Sequence, residues 1–264
     1  MSYRTYNPAV RIGNWQEDVC LEEEKLKDFL EKKERGELLT DRAYNLRHHI
    51  LQKIDLSSPA DDGYIHFGDI VCLYNVGTSS IASANMSDIQ MHNAQQLEGP
   101  CPLTSSKNFE PCIRNAFQIV SADNVDRTGE ILHFEQHFCL STLSGIGGQL
   151  KLYSDRATFI KYAKYSRLQD ATLSAESNYQ CEWKLLVLEP KQRLIMEGMP
   201  VPIGQKLLIN HCKSNQCLAS LPEYTHRTSF GREFEVVAHT HYDPHKIARD
   251  INHWNFIYAG QSCN

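Results

Sequence analysis

The sequence predicts a mainly-β protein: one closed domain of three strand repeats, preceded by an extended N-terminal arm and a short helical segment. Three observations lead there. Residues 16 to 53 are dense in Glu, Lys and Leu, but beyond residue 55 the apolar pattern switches to alternation and keeps it to the C-terminus. A short alternating motif, GYIHFGDIVCLYN at 63 to 75, returns as GEILHFEQHFCLST at 129 to 142 and as GMPVPIGQKLLINH at 198 to 211. The 264 residues are 41% hydrophobic and include 12 Tyr, 10 Phe and 3 Trp, ample to bury a large core.

Residues 1 to 15, MSYRTYNPAVRIGNW, hold no periodic pattern, contain Pro8 and Gly13, and read as an extended arm. Residues 16 to 54 read as a charged helical segment. Val19, Leu26, Phe29 and Leu30 fall at roughly helical spacing, and the charges between them form a solvated face. Gly36 suits the end of a first helix, and Thr40-Asp41 the cap of a second running to about Ile54. The β domain spans 55 to 262, with repeats at about 63–128, 129–197 and 198–261; DLSSPADDG at 55 to 63 is its turn-rich lead-in. A helical insertion is expected near 86 to 99, and RATFIKYAKYSRLQDATLSAES at 156 to 177 is open between helix and short strands.

The copies align residue by residue. Ile65, Phe67, Val71 and Leu73 are apolar around a central Asp69; Leu132, Phe134, Phe138 and Leu140 surround Gln136; Val201, Ile203, Leu207 and Ile209 surround Gln205. The copies lie 67 and 69 residues apart. A period-two stripe broken once in the middle is a bent strand or a strand-turn-strand with one face buried. Each copy has an expected later partner: Phe117 and Ile119, then Trp183 and Leu185, then Phe234 and Val236. The third pairing makes that copy shorter in its middle. NHWNFIYAG supplies one more strand, able to close against VRIGNW or the first copy. Three such units cannot each bury their own apolar face, but around a pseudo-threefold axis they share one core and leave few free edges. That is a β-trefoil. The run LLINHCKSNQCLAS, then FGREFEVVAH, then NHWNFI resembles trefoil domains of the MIR type.

The net charge is −5, from 27 basic and 32 acidic residues, which disfavours nucleic acid as a partner. No run approaches the roughly 18 apolar residues of a membrane span, and no apolar leader follows Met1, so no membrane contact is expected. Nine spread cysteines read as free thiols. HTHYDPH, with His239, His241, Asp243 and His245, followed by His253, is a weak metal candidate. On a strand, 239 and 241 share a face and Asp243 could be a third ligand, but the spacing fits no established site, so no metal is expected. His211, Cys212 and Cys217 lack a second cysteine pair and an orienting group, and read as packing residues. Gly145, Gly147 and Gly148 lack the Lys-Ser/Thr of a phosphate loop and read as a hairpin needing positive φ. No paired carboxylates stand out. The residues support neither catalysis nor a cofactor.

NPAVRIGNWQEDVCLEEEKLKDFLEKKERGELL at 7 to 39 resembles the start of the cilia- and flagella-associated protein 161 family, as do DGYIHFGDIVCL, LLINHC, FGREFEVVAHTHYDPH and NHW in the family's order. The resemblance runs from about residue 7 to about 258 and departs at 76 to 112 and 144 to 180. It implies a non-enzymatic microtubule inner protein of motile cilia. Such a protein would bind the luminal tubulin wall and neighbouring inner proteins in the A-tubule of axonemal doublets, and would stabilise the lattice. Arg11, Ile12 and Trp15 in the arm are then candidate protein-binding anchors. The mild acidity is compatible, because the acidic tails of tubulin lie outside the lumen. The alternative is a soluble trefoil that binds a carbohydrate or small ligand. It calls for matching loops after Asn75, Thr142 and His211, and these differ from one another.

Overall fold

A computed structural model describes residues 15–123 and 125–261, with Trp15 and Gln16 by their backbone alone. Two helices lead: α1 (Trp15–Glu34) and α2 (Leu39–Ile50). The first part of the β region holds β1 (Ile70–Asn75), β2 (Ser80–Ala84), α3 (Asp88–Asn93), β3 (Cys101–Ser106) and β4 (Ala116–Ser121). Then come β5 (Phe138–Thr142), β6 (Lys151–Ser154), β7 (Ala171–Ser174), β8 (Trp183–Leu186) and the single turn α4 (Arg193–Met196). The last part is β9 (Leu208–His211), β10 (Leu218–Thr228), β11 (Gly231–Ala238) and β12 (Trp254–Ile257).

The molecule is mainly β, with a closed seven-strand barrel and a few helices. The barrel runs β3–β2–β1–β4–β5–β6–β7 and returns to β3 through Cys101 and Pro102. A second circuit joins the same sheet: β1–β4–β5–β8–β9–β12 and back to β1, the β9–β12 link being the Leu207–Trp254 bridge. All these pairings are antiparallel, and closure removes free edges from both circuits.

The three copies of the motif meet at one point. Ile65 N–H donates to Val201 O at 2.9 Å, Val201 N–H to Leu132 O at 3.0 Å, and Leu132 N–H to Ile65 O at 2.8 Å, a closed ring of backbone hydrogen bonds. The central polar residue makes the turn in two copies. Asp69 Oδ2 accepts from His66 N–H, and Gln136 Oε1 from His133 N–H, both at 3.0 Å. The preceding residue has positive φ in each copy: Gly68 at 93°, Glu135 at 64° and Gly204 at 80°. The strand-turn-strand form is therefore the right one. Eleven of the twelve stripe residues are buried in one core, and Ile203 packs against it half-buried.

The expected partner of the third copy is corrected. Phe234 and Val236 lie on β11, which pairs with β10 and β3. The partner is β12: Trp254 is 53 residues after Val201, matching the 52 and 51 residues of Phe117 and Trp183 in the other copies. The third copy is not shortened. Alternation tells which face a strand buries, not which strand it meets. β12 also closes against β1, with Cys72 opposite Ile257.

Helix α2 buries Ala43, Leu46 and Ile50 on one side, a spacing that puts them on one face toward the core. It stops at Ile50, short of the expected Ile54, because Lys53 bridges Cys112 and Ile54 N–H donates to Pro111 O at 3.3 Å. The turn between α1 and α2 holds Gly36 at φ 66°. Helix α3 lies inside the expected 86–99 insertion, opened by a capping box between Ser87 and Gln90. Gly145 and Gly148, at φ 73° and 72°, flank the turn joining β5 to β6. Of residues 156–177, only Ala171–Ser174 is regular.

Candidate functional site

The candidate residues from the sequence scatter to different tasks. Arg11 and Ile12 lie outside the described residues, and Trp15 opens α1. His239 and His241 do come together, their rings edge-to-face at 4.8 Å. Asp243 does not join them. Its Oδ1 accepts the N–H groups of His245 and Ile247 at 2.9 and 2.8 Å, which fixes its own loop. His253 is turned into the body, with Nε2 2.9 Å from Ala248 O and Nδ1 3.2 Å from Asp250 Oδ1. Burial pushes the pKa of His241 down, and the charges of His239 and Arg249 add to this. Among the described residues, no three His, Cys, Asp or Glu side chains converge on a common point.

His211 packs against Trp183 at 4.8 Å between ring centres. Its Nε2 lies 3.0 Å from Gln180 O, which can only accept, so Nε2 carries the proton and Nδ1 accepts from Ser214 Oγ at 2.8 Å. Burial pushes its pKa down, so this neutral tautomer persists. Burial raises the thiols of Cys212, Cys139 and Cys101 to about 12, so they stay protonated at neutral pH. Cys20, Cys101, Cys112, Cys139, Cys181, Cys212 and Cys217 are free thiols.

Two features escaped the sequence reading because each depends on long-range pairing. Arg114 and Glu233 form a buried ion pair, and Glu235 is a buried carboxylate two residues along β11. Glu235 accepts the N–H of Tyr165 at 2.9 Å and of Ser166 at 2.8 Å, with His226 Nε2 3.4 Å away. Burial alone would raise this carboxyl, but those hydrogen bonds outweigh it and hold the pKa at about 2, against the usual 4.5. A depressed folded pKa means stability that is full above pH 4.5 and lost as pH falls toward 2. Glu235→Gln is expected to destabilise at pH 7 and to lie closer to the parent at pH 3, read by urea titration. An equal gap at both pH values would contradict this.

Helix α1 is the most open element. From Glu17 to Glu34 every side chain is exposed or half-exposed. Leu26 and Phe29 remain 58% and 48% exposed, beside Val19 and Leu30. Ion pairs such as Lys32 to Asp28 at 2.7 Å stitch the helix along its own surface. From Glu17 to Glu34 the helix therefore presents side chains outward and contributes none to the buried core.

Comparison with known proteins follows the same outline. Residues 42–259 match the model of the cilia- and flagella-associated protein 161-like domain. The chain is 44% identical to cilia- and flagella-associated protein 161 of Danio rerio over 269 residues, covering 97% of this chain and 89% of that one. It is 38% identical to the Bos taurus protein of that name, with 97% and 83% covered. Two solved structures share the fold. One, a Caenorhabditis elegans protein of unknown function, has a TM-score of 0.56 at 16% identity, covering 75% of this chain and 98% of that one. The other, the SDF2-like protein of Arabidopsis thaliana, has a TM-score of 0.55 at 12% identity, covering 74% and 97%. By sequence along nearly its whole length, the chain belongs to the cilia- and flagella-associated protein 161 family.

Proposed function

We propose that this protein is a non-enzymatic structural component of motile cilia and flagella: a microtubule inner protein that binds tubulin and neighbouring inner proteins inside the A-tubule of axonemal doublets. The observation that carries the proposal is membership of a family named for cilia and flagella. The outward-facing α1 supports it, because a helix whose side chains from Glu17 to Glu34 are all outside the core is surface available to a partner. The protonated thiols and the hydrogen-bonded rings of His211 and His253 are the features of a scaffold. The body itself is proposed to be a β-trefoil. Support comes from the six-strand circuit, with each copy giving it two strands, and from the ring of hydrogen bonds through Ile65, Leu132 and Val201.

The test is extraction of isolated axonemes with rising salt and then sarkosyl, with blotting for this protein. Retention through high salt and release only as the doublet walls dissolve is the expected result. Early release with the soluble matrix overturns the assignment.

A further inference from the structure

A surface segment of this acidic chain combines a run of cations with exposed apolar side chains. From Arg156 to Gln169 there are four cations, Arg156, Lys161, Lys164 and Arg167, and no acid. At the tip, Phe159 and Ile160 are 102% and 93% exposed, among the most open apolar side chains described. An exposed aromatic-aliphatic pair within a cationic segment, whose nearest acids in sequence are Asp155 and Asp170 at its ends, is unusual on a surface with no partner.

The loop is built to hold that tip out. Thr158 N–H donates to Lys161 O at 2.8 Å, and Thr158 Oγ1 accepts from Lys161 N–H at 3.1 Å, closing a tight turn around Phe159 and Ile160. The base is anchored by buried Ala163, which packs with Leu221 and Val237. Beneath it Glu235 holds two successive backbone N–H groups. Ordering before binding lowers the entropy lost on binding.

We infer that the 156–167 loop is a docking tip for an acidic protein surface: Phe159 and Ile160 enter an apolar notch, and Arg156, Lys161, Lys164 and Arg167 meet the acids around it. This rests on the reading above, in which that surface is the tubulin wall. The four cations give orientation and salt sensitivity to the encounter, and the buried pair gives retention.

The experiment uses the full chain. Tubulin is polymerised in its presence, the polymer is pelleted, and bound protein is measured for the parent, for Phe159→Ser with Ile160→Ser, and for Lys161→Glu with Lys164→Glu. Melting curves of both variants should match the parent, since these side chains are exposed. The expected result is parent retention and roughly tenfold weaker binding for each variant. Parent and variants retained alike overturns the docking tip and leaves the tubulin reading standing. No retention of the parent overturns the tubulin reading itself, and with it the occupant named here. Loop-dependent binding of the parent to phosphatidylserine–phosphatidylcholine vesicles, without polymer binding, would overturn a protein partner in favour of a membrane.

Discussion

Replacing Glu233 with Ala is expected to cost about 3–5 kcal/mol of stability, the cost of leaving one buried charge without its partner. Both side chains are almost fully enclosed, Arg114 at 3% and Glu233 at 1% exposure. Arg114 Nη2 donates to Glu233 Oε1 and Oε2 at 2.8 and 3.0 Å, and its Nε donates to Ala84 O at 3.0 Å. Thr104 Oγ1 donates to Glu233 Oε2 at 2.7 Å, and the guanidinium lies 3.9 Å over the Phe230 ring. The pair thus ties the segment entering β4 to β3 and to the β10–β11 hairpin. In Glu233→Ala the guanidinium keeps its desolvation and loses its counter-charge. The double variant Arg114→Met with Glu233→Leu removes both charges and should recover most of the loss. Urea unfolding at pH 7 measures both. A single-variant loss below about 1 kcal/mol, the range of surface pairs, would show that water reaches the site.

Trp254→Ala is expected to cost about 3–5 kcal/mol, from lost burial and the cavity left behind. Trp254 is fully buried, sits opposite Asn75 across β1, and donates its indole N–H to Leu218 O at 3.0 Å. Trp183 does the same in the second copy, donating to Leu152 O at 2.9 Å. The first copy has Phe117 at the matching place, which has no donor. Trp254→Phe should therefore be the milder change, costing about 1–3 kcal/mol for the smaller ring and the lost indole hydrogen bond, since Leu218 O keeps the Asn252 amide at 3.1 Å. If Trp254→Ala and Trp254→Phe cost the same, the hydrogen bond rather than the packing carries the effect.

The strand repeats were legible because burial writes itself into alternation. Ile65, Phe67, Leu132, Phe134 and Val201 alternate in sequence because each faces the same enclosed core. The helices were legible for a similar local reason, and their ends less so. Where α2 stops depends on Lys53 meeting Cys112, a contact no window around residue 54 contains. The site residues were the least legible. HTHYDPH is dense in ligand types, but the backbone of its own loop occupies Asp243, so proximity in sequence did not become convergence in space.

The sequence by itself determined the class of the fold, the three copies of the motif, the face each one buries and the family. These follow from local hydropathy, turn residues and ordered motifs, which a chain displays before it folds. Only the tertiary structure decided that β12 rather than β11 completes the third copy, and that the three copies close a ring through Ile65, Leu132 and Val201. It also decided that Arg114 and Glu233 are buried rather than solvated. A charge can be buried only where its partner waits, and here the partner lies 119 positions away along the chain.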